Sequence, residues 1–372
     1  YPLRVQVCSG CWLVQTEDYV KSATDGLFDD DYAYFSSTST SFLQHAKDYC
    51  SKMISRFGLD SNSLVIEVAS NDGYLLKNFI GTGIRTIGIE PTKSTADSAV
   101  KLGLDVIQDF FGKSLAEKLV ADGDRADLLV GNNVYAHVPD INDFTAGIKT
   151  LLKPDGVVTL EMPHVMELIK HNQFDTIYHE HFSYHSLYTI KRIFETYGLR
   201  IFDVETLRTH GGSLRVFGCH ESGCHKEQIS VSNLLAEEKN RGLQKLETYN
   251  GFQQHVAAIK LELMDFLVDA KRRRKIVVAY GAAAKGNTLL NFCGIKSDLI
   301  SAVFDAAPAK QGKLMPGSHI PILAPNEISK FNPDYVIILP WNLKTEVKEQ
   351  LSQILDKHVK YLTMIPHMRE FS

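Results

Sequence analysis

Strand-like apolar runs alternate with helix-length segments through the middle of this 372-residue chain. The runs lie at 64–68 and in "RTIGIE", "LDVIQ", "ADLLVGNNV" and "GVVTLEMP". Alternation of this kind predicts parallel strands with helices on both faces of one sheet. Ligands of such sheets bind beyond the carboxyl ends of the strands, so the residues that follow each strand are candidate site residues.

A second strand, glycine loop and helix pattern follows a long helical tract from about Lys226 to Lys275. It reads "KIVVAYGAAAKGNTLLNFCGI", and "LISAVFDAAP" adds a strand that ends in Asp305, so we predict a second Rossmann-like unit. Loop amides at a helix N-terminus bind anions, and Lys285 adds a charge and Asn287 a donor, which favours a diphosphate. The alternative is a nucleotide fold with an empty loop. Lys310, in the next loop, contacts either phosphate or solvent.

Length and composition limit the classes of protein that remain. The length predicts two or three domains, and 44% hydrophobic with 23% charged residues is ordinary for a soluble globular chain. A formal charge of −4 without a long basic run argues against nucleic acid as a partner. No apolar stretch reaches the roughly 18 residues that span a bilayer and no signal peptide opens the chain, so we expect no membrane partner and a cytoplasmic location. No motif indicates an oligomeric state.

The N-terminal segment contains a C-x-x-C pair, Cys8 and Cys11, before a polar, aromatic stretch and a helix that ends near Phe57. Two thiolates at this spacing can hold one metal ion, but a structural zinc site needs four ligands. Half a zinc site and two free thiols therefore remain equal readings.

The first strand leads into "EVASNDG", a loop with a single glycine, instead of the dinucleotide-binding G-x-G-x-x-G. A helix is expected from about Tyr74, directly after this loop. Glu90 ends the second strand 17 residues after Gly73, close to the roughly 20 expected of a carboxylate that binds ribose hydroxyls. Glu67 is either part of the same site or a strand-end carboxylate satisfied by backbone donors.

In order, "VIEVASNDGYLL", "GIEP", "VGNNVYAHVPD" and "LLKPDGVVTLEMP" resemble the motifs of class I S-adenosylmethionine-dependent methyltransferases. Together with "YAYFSSTSTSFLQHA", "IYHEHFSYHS", "THGGSLRVF", "AYGAAAKGNTLLNF" and "ILPWNLKTEV", nearly the whole chain resembles the three-domain C-methyltransferases that act on nucleotide-linked 4-keto-deoxysugars. The chain departs from that family in two features. The family has two C-x-x-C pairs and this chain has one, and the first methyltransferase motif of this chain carries one glycine where several are common.

The resemblance implies an α/β fold of three parts. These are a small N-terminal zinc-module remnant at 1–55, a class I methyltransferase domain at 56–221 and a second Rossmann-like domain at 222–372. It implies a role in deoxysugar and antibiotic biosynthesis, with S-adenosylmethionine as cofactor, zinc as a second candidate, and a thymidine-diphosphate sugar as substrate. Within the cofactor site, Glu90 would accept from the ribose. The other implied cofactor residues are Glu67, Ser70, Asn71, Gly73, Asp109 and Asn132, with Tyr34 and Ser36 as a cap.

The segment "TIYHEHFSYHS" then has a chemical interpretation. It does not match the metalloprotease H-E-x-x-H, whereas methylation beside a ketone needs a base and a donor for the enolate oxygen. Histidine and tyrosine supply these functions, and the resemblance implies His181 as base with Tyr178 and Glu180 assisting. Tyr178 and His181 would share one face if this segment formed a helical turn.

The run "RTHGGSLRVF" is the last candidate. Paired glycines before a strand allow either a tight turn or the close approach of a ligand. The resemblance favours His210 and Ser213 lying near the sugar. Two alternatives to this function remain, a nicotinamide-dependent sugar-nucleotide oxidoreductase and a non-catalytic nucleotide-binding module.

Overall fold

The computed structural model describes residues 3–17, 35–356 and 358–371. These residues form two compact units. The first unit contains the residues up to His164 together with Glu180–Arg208 and Gly212–Gln244; the second contains Val165–His179, Thr209–Gly211 and the residues from Lys245 onward. The three-part division at 55/56 and 221/222 stays a prediction.

The first unit holds ten strands and six helices of the described residues. The strands are β1 (Val5–Val7), β2 (Val14–Thr16), β3 (Leu64–Val68), β4 (Arg85–Ile89), β5 (Val106–Ile107), β6 (Ala126–Asn132), β7 (Leu152–Pro163), β8 (Ser183–Tyr184), β9 (Leu199–Leu207) and β10 (Ser213–His220). The helices are α1 (Thr40–Phe57), α2 (Lys93–Lys101), α3 (Lys113–Ala121), α4 (Ile141–Leu151), α6 (Leu187–Thr196) and α7 (Ile229–Asn240), while α5 (Val165–Lys170) belongs to the second unit.

Seven of these strands form the main sheet, in the order β5-β4-β3-β6-β7-β10-β9. β5, β4, β3, β6 and β7 are parallel, as the alternating pattern predicts, and β10 is antiparallel to both β7 and β9. β3 is buried along its whole length, which is why it reads as an unbroken apolar run apart from Glu67. The predicted α/β fold is confirmed, with a mixed rather than wholly parallel sheet.

The helix expected from about Tyr74 is not formed, and that prediction is wrong. Only a short 3-10 turn, Leu76–Phe79, follows the loop after β3. Two features explain this. Tyr74, Leu75 and Leu76 are all buried, so the segment has no solvent face, and the Asn78 side chain donates to the Tyr74 and Leu75 carbonyls at 3.2 and 2.8 Å.

A small antiparallel sheet, β1-β2-β8, contains the second half of the histidine-rich segment. β8 pairs with β2 through Val14 with Tyr184 and Gln15 with Ser183, so these two residues are extended. Residues 179 and 180 form a turn, and the shared helical face of Tyr178 and His181 stays a prediction. The N-terminal hairpin thereby reaches the candidate catalytic segment.

The second unit contains a six-stranded sheet of order β13-β12-β11-β14-β15-β16, parallel except for β16. Its strands are β11 (Val277–Tyr280), β12 (Val303–Phe304), β13 (Ile322–Leu323), β14 (Tyr335–Ile338), β15 (Lys360–Thr363) and β16 (Arg369–Phe371), and its further helices are α8 (Leu246–Asn250), α9 (Phe252–Arg272), α10 (Ala284–Cys293) and α11 (Lys344–Leu351). Apolar residues pack on both faces of this sheet. The predicted second Rossmann-like domain is present.

The helical tract predicted for Lys226 to Lys275 is interrupted. α7 ends at Asn240 and a turn through Gly242, at φ +79°, separates it from α8 and α9. α7 packs in the first unit and α9 in the second. Among the described residues, none of the helices combines the length and the hydropathy needed to cross a membrane. The cytoplasmic location stays a prediction.

Candidate cofactor site and active site

The loop after β3 is held in place by the side chain of Glu90. One carboxylate oxygen of Glu90 accepts from the Asn71 amide at 2.9 Å, and the other accepts from the Thr92 amide and the Thr95 hydroxyl, each at 3.0 Å. Asn71 has φ +50°, a conformation in which its amide can face the end of β4. Glu90 therefore fixes the shape of the loop, a structural role beyond the ribose contact that the resemblance implies.

Gly73 is needed for both conformation and space. Its φ is +77°, and a Cβ at this position would lie 2.4 Å from the Leu104 side chain and 3.2 Å from the Ala99 Cβ. Any other residue would push the loop away from α2 and so away from Glu90. The single glycine of the loop is thus explained by packing as well as by ligand access.

Four buried polar atoms around this loop have no hydrogen-bond partner among the described residues. They are Glu67 Oε2, Ser70 Oγ, Asp72 Oδ1 and Asn132 Oδ1. A buried polar atom without a partner destabilises a fold by about 1–3 kcal/mol, so this concentration indicates a place for a ligand. Asp72 Oδ1 and Asn132 Oδ1 are acceptors, which suits a ligand rich in N–H and O–H donors, such as the ribose hydroxyls and ammonium of S-adenosylmethionine.

The carboxylates of this site repel one another. Burial raises the pKa of Glu67 well above its usual range, and the nearby Glu90 and Asp72 raise it further. A positively charged ligand would relieve this repulsion. The residues present therefore fit a cationic cofactor.

Ser36, one of the two expected cap residues, lies at the loop after β3. The Ser36 amide donates to Asn71 Oδ1 at 2.9 Å, and the Ser37 amide donates to Asp72 Oδ2 at 3.1 Å. Ser36 thus contributes through its backbone to the loop itself. Tyr34, the other predicted cap residue, lies outside the described residues.

The two later strand ends differ from each other. Asn132 ends β6 and is buried beside Glu161 of β7, in register with it. Asp109 follows β5 on the surface, and its carboxylate accepts from the Phe110 amide at 2.8 Å. Asn132 thus lies at a strand end close to the loop after β3, as expected of a site residue, whereas the contact seen for Asp109 is local to its own turn.

Three hydrogen bonds hold the backbone of His181 and Phe182 in place. The Thr16 hydroxyl donates to the His181 carbonyl at 3.0 Å, the Thr16 amide to the Phe182 carbonyl at 3.1 Å, and the Phe182 amide to the Ala136 carbonyl at 2.8 Å. The segment is thus anchored to β2 on one side and to the loop after β6 on the other. His181 itself is 6% exposed, so its ring is nearly enclosed.

A second histidine, His137, lies against the ring of His181. The ring centroids are 4.6 Å apart and the planes are nearly perpendicular, while the Tyr184 ring lies 5.8 Å from His181 on an edge. Burial lowers the pKa of His137 to about 4, opposed by a hydrogen bond to the Glu180 backbone. His137 is therefore neutral near pH 7 and places no positive charge beside His181. Sequence reasoning missed His137, although it lies in the "VGNNVYAHVPD" motif.

The other members of the histidine-rich segment separate by exposure. His179 is exposed and Glu180 is partly exposed. His185 is fully buried, its Nε2 lies 2.9 Å from the Ser183 hydroxyl, and burial lowers its pKa to about 4. Tyr178 is partly exposed and belongs to the second unit, whereas Glu180 and His181 belong to the first.

In the second unit, Lys285 lies at the start of α10 within a polar and aromatic cluster. Its ammonium is 3.2 Å from Asn342 Oδ1 and 4.6 Å from the centre of the Trp341 ring. The indole N–H of Trp341 donates to Asp175 Oδ2 at 2.7 Å, while Asp175 Oδ1 has no hydrogen-bond partner among the described residues. Burial lowers the pKa of Lys285, opposed by Asp175; burial raises the pKa of Asp175 to about 6, opposed first by Lys285.

The glycine turn "THG" supports this cluster. His210 has φ +52° and Gly211 has φ +88°. A Cβ on Gly211 would lie 2.1 Å from the Trp341 ring, so glycine is what lets the indole pack there. Ser213, the other residue predicted near the sugar, is buried at the start of β10 in the first unit.

Two predicted phosphate ligands have partners of their own. The side-chain oxygen of Asn287 accepts from Asn291 at 3.0 Å within α10. Lys310 lies 3.5 Å from Asp305, which also accepts from the Ala282 amide at 2.7 Å. Two of the three residues proposed for phosphate are lysines. In the described part of the chain, the ammonium of Lys310 has a carboxylate within ion-pair distance and that of Lys285 has none.

Cys8 and Cys11 lie in the turn between β1 and β2. The Cys8 amide donates to the Leu13 carbonyl at 3.0 Å and the Trp12 amide to the Cys8 carbonyl at 2.8 Å. Hydrogen bonds from the Cys11 and Gly10 backbone lower the pKa of Cys8. Within residues 3–17, 35–356 and 358–371, no group of three or more metal-binding side chains occurs, and both readings of the pair, half a zinc site and two free thiols, stay predictions.

Comparison with known proteins bears on this geometry. The profile of the family "Methyltransferase domain" matches residues 42–204, and that of "C-methyltransferase C-terminal domain" matches residues 208–366. C-methyltransferase NovU from Streptomyces niveus is 35% identical over all 372 residues, which cover 88% of its own length. Neither an oxidoreductase nor a non-catalytic module is consistent with these matches.

Among solved structures, magnesium protoporphyrin IX methyltransferase (ChlM) from Synechocystis PCC 6803 aligns with 48% of this chain and 79% of its own. That alignment has 14% identity and a TM-score of 0.37. YcgJ from Bacillus subtilis aligns with 48% of this chain and all of its own, at 13% identity and a TM-score of 0.38. On the full-length match to NovU and the two family profiles, the chain belongs to the family of S-adenosylmethionine-dependent C-methyltransferases.

Proposed function

We propose that this enzyme methylates the carbon beside the 4-keto group of a thymidine-diphosphate-linked deoxysugar, with His181 as the general base. The anchored, nearly enclosed position of His181 beside a neutral His137 is the observation that carries the proposal. A general base must be held in one orientation near the proton that it removes. The contacts of the His181 peptide to Thr16 and of its neighbour to Ala136 provide that orientation.

The reaction follows from the acidity of hydrogens beside a ketone. His181 takes the proton from the carbon next to the carbonyl, and the electron pair of the broken C–H bond moves onto the carbonyl oxygen as an enolate. The enolate carbon then attacks the sulfonium methyl in line, forming a C–C bond while the S–CH₃ bond breaks. S-adenosylhomocysteine leaves, and the carbonyl is restored. Tyr178 and Glu180 are the proposed assisting groups, one as donor to the developing oxyanion.

The cofactor is proposed to lie against Glu67, Ser70, Asn71, Gly73 and Asn132, with Glu90 beneath the loop. Its donors would complete the buried acceptors, and its positive charge would offset the carboxylates. S-adenosylmethionine supplies the methyl group as an electrophile. The residues of this chain supply the position, the counter-charge and the exclusion of water.

The diphosphate of the substrate is proposed to bind Lys285 and the amides that open α10. A lysine ammonium and the N-terminus of a helix both favour an anion, and phosphate is a strong acceptor for both. The partly satisfied ammonium of Lys285 supports this assignment over Lys310, which has Asp305 as a partner.

The proposal is tested by the exchange of substrate hydrogen with solvent. A dTDP-linked 4-keto-6-deoxysugar in D₂O, with S-adenosylhomocysteine in place of the methyl donor, should take up deuterium beside the ketone when the wild-type enzyme is present. His181→Asn should lose this exchange and nearly all methyl transfer while still binding the cofactor. The matched control is His179→Asn, an exposed histidine two residues away, which should retain both activities. Normal exchange in His181→Asn would remove His181 as the base.

A further inference from the structure

A buried charged cluster beneath α1 has no part in the chemistry above. Glu161 of β7 is the centre of it, with His45 of α1 and Arg215 of β10 on either side. His45 Nε2 lies 3.0 Å from both carboxylate oxygens, and Arg215 Nη2 lies 2.6 Å from Oε2. The Glu161 side chain is completely buried, the Arg215 side chain is 4% exposed and that of His45 is 21% exposed.

The hydrogen-bond roles within this cluster follow from the charge of Glu161. Burial alone would raise the pKa of Glu161, but the His45 hydrogen bond and the Arg215 charge outweigh it and lower the pKa to about 2. The carboxylate is therefore ionised at any working pH and can only accept. His45 Nε2, 3.0 Å from both carboxylate oxygens, is accordingly assigned as the donor.

Burying such a cluster contributes little net stability, because the loss of hydration offsets most of the attraction between the charges. Buried ionic groups of this kind are better suited to fixing one arrangement of the elements that carry them. Here the elements are α1 and the carboxyl end of β7, where Glu161 is in register with Asn132 of the cofactor site.

α1 connects this cluster to the cofactor loop. His45 lies five positions after Thr40, the first residue of α1, a rise of roughly 7–8 Å at 1.5 Å per residue. Between these positions the Phe42 ring stacks on Tyr74, next to Gly73, with centroids 5.0 Å apart. Directly before α1, the Ser36 amide donates to Asn71 of the loop.

The geometry points to the cluster of Glu161, His45 and Arg215 as a positioning unit for the cofactor. It fixes the N-terminal half of α1 against β7, and α1 in turn holds the amides of residues 36 and 37 on Asn71 and Asp72. In this role His45 sets the affinity for S-adenosylmethionine without contacting the reacting atoms. The role concerns the cofactor alone and does not rest on the proposed sugar substrate or base.

The first test is a pair of substitutions at His45, read by calorimetric titration of S-adenosylmethionine. His45→Ala removes the hydrogen bond to Glu161 and should raise the Kd for the cofactor about tenfold, as expected for one charge-assisted hydrogen bond. His45→Gln can place an amide N–H near the position of Nε2 and should restore the Kd to within about threefold of wild type. The Kd for thymidine diphosphate should not change in either variant.

The matched control is Lys52→Ala, which removes a 2.6 Å ion pair between the same helix and Glu205 on the main sheet. Lys52 lies nearly two turns further along α1 and its side chain is about half exposed. It should leave the cofactor Kd unchanged. A loss of affinity equal to that of His45→Ala would mean that any weakening of α1 has the same effect, which would overturn the specific role of the cluster.

A second, independent variant acts at the other end of the same connection. Ser36→Pro removes the amide donor to Asn71, and it suits the local backbone because Phe35 already has φ −111° and ψ 118°, as required before proline. It should weaken cofactor binding more than Ser36→Ala, which keeps the amide. Combined with His45→Ala, its effect should be less than additive, because both substitutions release one element.

Besides the Lys52→Ala result, four results would overturn the inference. Two concern His45 alone: an unchanged cofactor Kd in His45→Ala, or a loss of cofactor affinity that His45→Gln does not restore. The others are additive effects of His45→Ala and Ser36→Pro, and a loss of thymidine diphosphate affinity in His45→Ala equal to its loss of cofactor affinity. If His45→Ala does not fold, His45→Gln and Ser36→Pro still decide the matter, since the inference predicts near-normal binding for the first and weakened binding for the second.

Discussion

The loops after β3 and after β11 share one local pattern and differ in the charged side chains around them. Both follow a buried strand and contain a glycine with positive φ, Gly73 in one and Gly281 in the other. The first loop is surrounded by the carboxyl groups of Glu67, Asp72 and Glu90. In the second, Asp305 accepts from a loop amide, and the loop leads into α10, whose first turn carries Lys285. A strand followed by a glycine loop therefore predicts a ligand site, and the charges around it indicate which ligand.

We propose a different partner for each loop. The loop beside Glu67 and Glu90 suits the sulfonium and ammonium groups of S-adenosylmethionine, and the loop that leads to Lys285 suits a diphosphate. Substitutions on one loop should therefore change the affinity for one ligand and leave the other unchanged.

The largest effect is expected from Glu90→Ala. It removes the acceptor of the Asn71 amide, the Thr92 amide and the Thr95 hydroxyl, so the cofactor loop loses its shape. We expect the Kd for S-adenosylhomocysteine to rise by about 100-fold or more, on the order of two lost hydrogen bonds to a charged group. Titration calorimetry measures this, and an unchanged Kd for thymidine diphosphate in the same preparation is the control for folding.

Lys285→Met should have the next largest effect, on the other ligand. Loss of the ammonium removes a charge-assisted contact to phosphate and should raise the Kd for thymidine diphosphate by roughly 10- to 30-fold. The cofactor Kd should stay within twofold of wild type. Lys313→Met, on an exposed lysine of the following loop, is the matched control. Weaker cofactor binding in Lys285→Met would contradict the separation of the two loops.

Asp175 should make nucleotide binding depend on pH. Burial raises its pKa to about 6, so its carboxylate is neutral below that pH and ionised above it. An ionised Asp175 repels a diphosphate held by Lys285, and affinity should therefore fall as the pH rises from 5.5 to 7.5, by about threefold to tenfold for one weakened charge contact. The ligand for this titration is a dTDP-linked sugar, because its diphosphate has no proton to lose near pH 6. Asp175→Asn should flatten the profile, and a profile that stays steep would show that another group is responsible.

Asp109→Ala should have the smallest effect. Asp109 is exposed, and its carboxylate accepts from the amide of the following residue. We expect less than a twofold change in cofactor Kd, since an exposed polar substitution away from the loop changes little. A larger change would return Asp109 to the cofactor site, where the family resemblance places it.

The parts of the fold that repeat regularly could be predicted from the sequence. The parallel strands β3, β4 and β6 read as apolar runs, and a glycine loop follows β3, as another follows β11. The predicted helix at Tyr74 failed because Tyr74, Leu75 and Leu76 are all buried and the Asn78 side chain donates to backbone carbonyls. The conformation around His181 could not be predicted either, because it depends on a hydrogen bond from Thr16, 165 positions away.

The candidate site was predictable to a similar extent. Residues that follow strands, such as Asn71, Glu90 and Asn132, were identified because the position follows from the fold. His137 and the cluster around Glu161 were missed, because their importance comes from neighbours on other strands and helices. A buried glutamate in the apolar run "VVTLEMP" was the one visible signal of that cluster.

The most direct test of the central claim is the fate of the methyl group. The enzyme would be incubated with S-adenosylmethionine labelled with ¹³C in its methyl group and a dTDP-linked 4-keto-6-deoxysugar, and the product examined by NMR and mass spectrometry. The account predicts that the label appears as a methyl bonded to the carbon beside the ketone, with loss of one hydrogen from that carbon. Label on oxygen or nitrogen of the sugar, or none on the sugar at all while the cofactor binds normally, would contradict it.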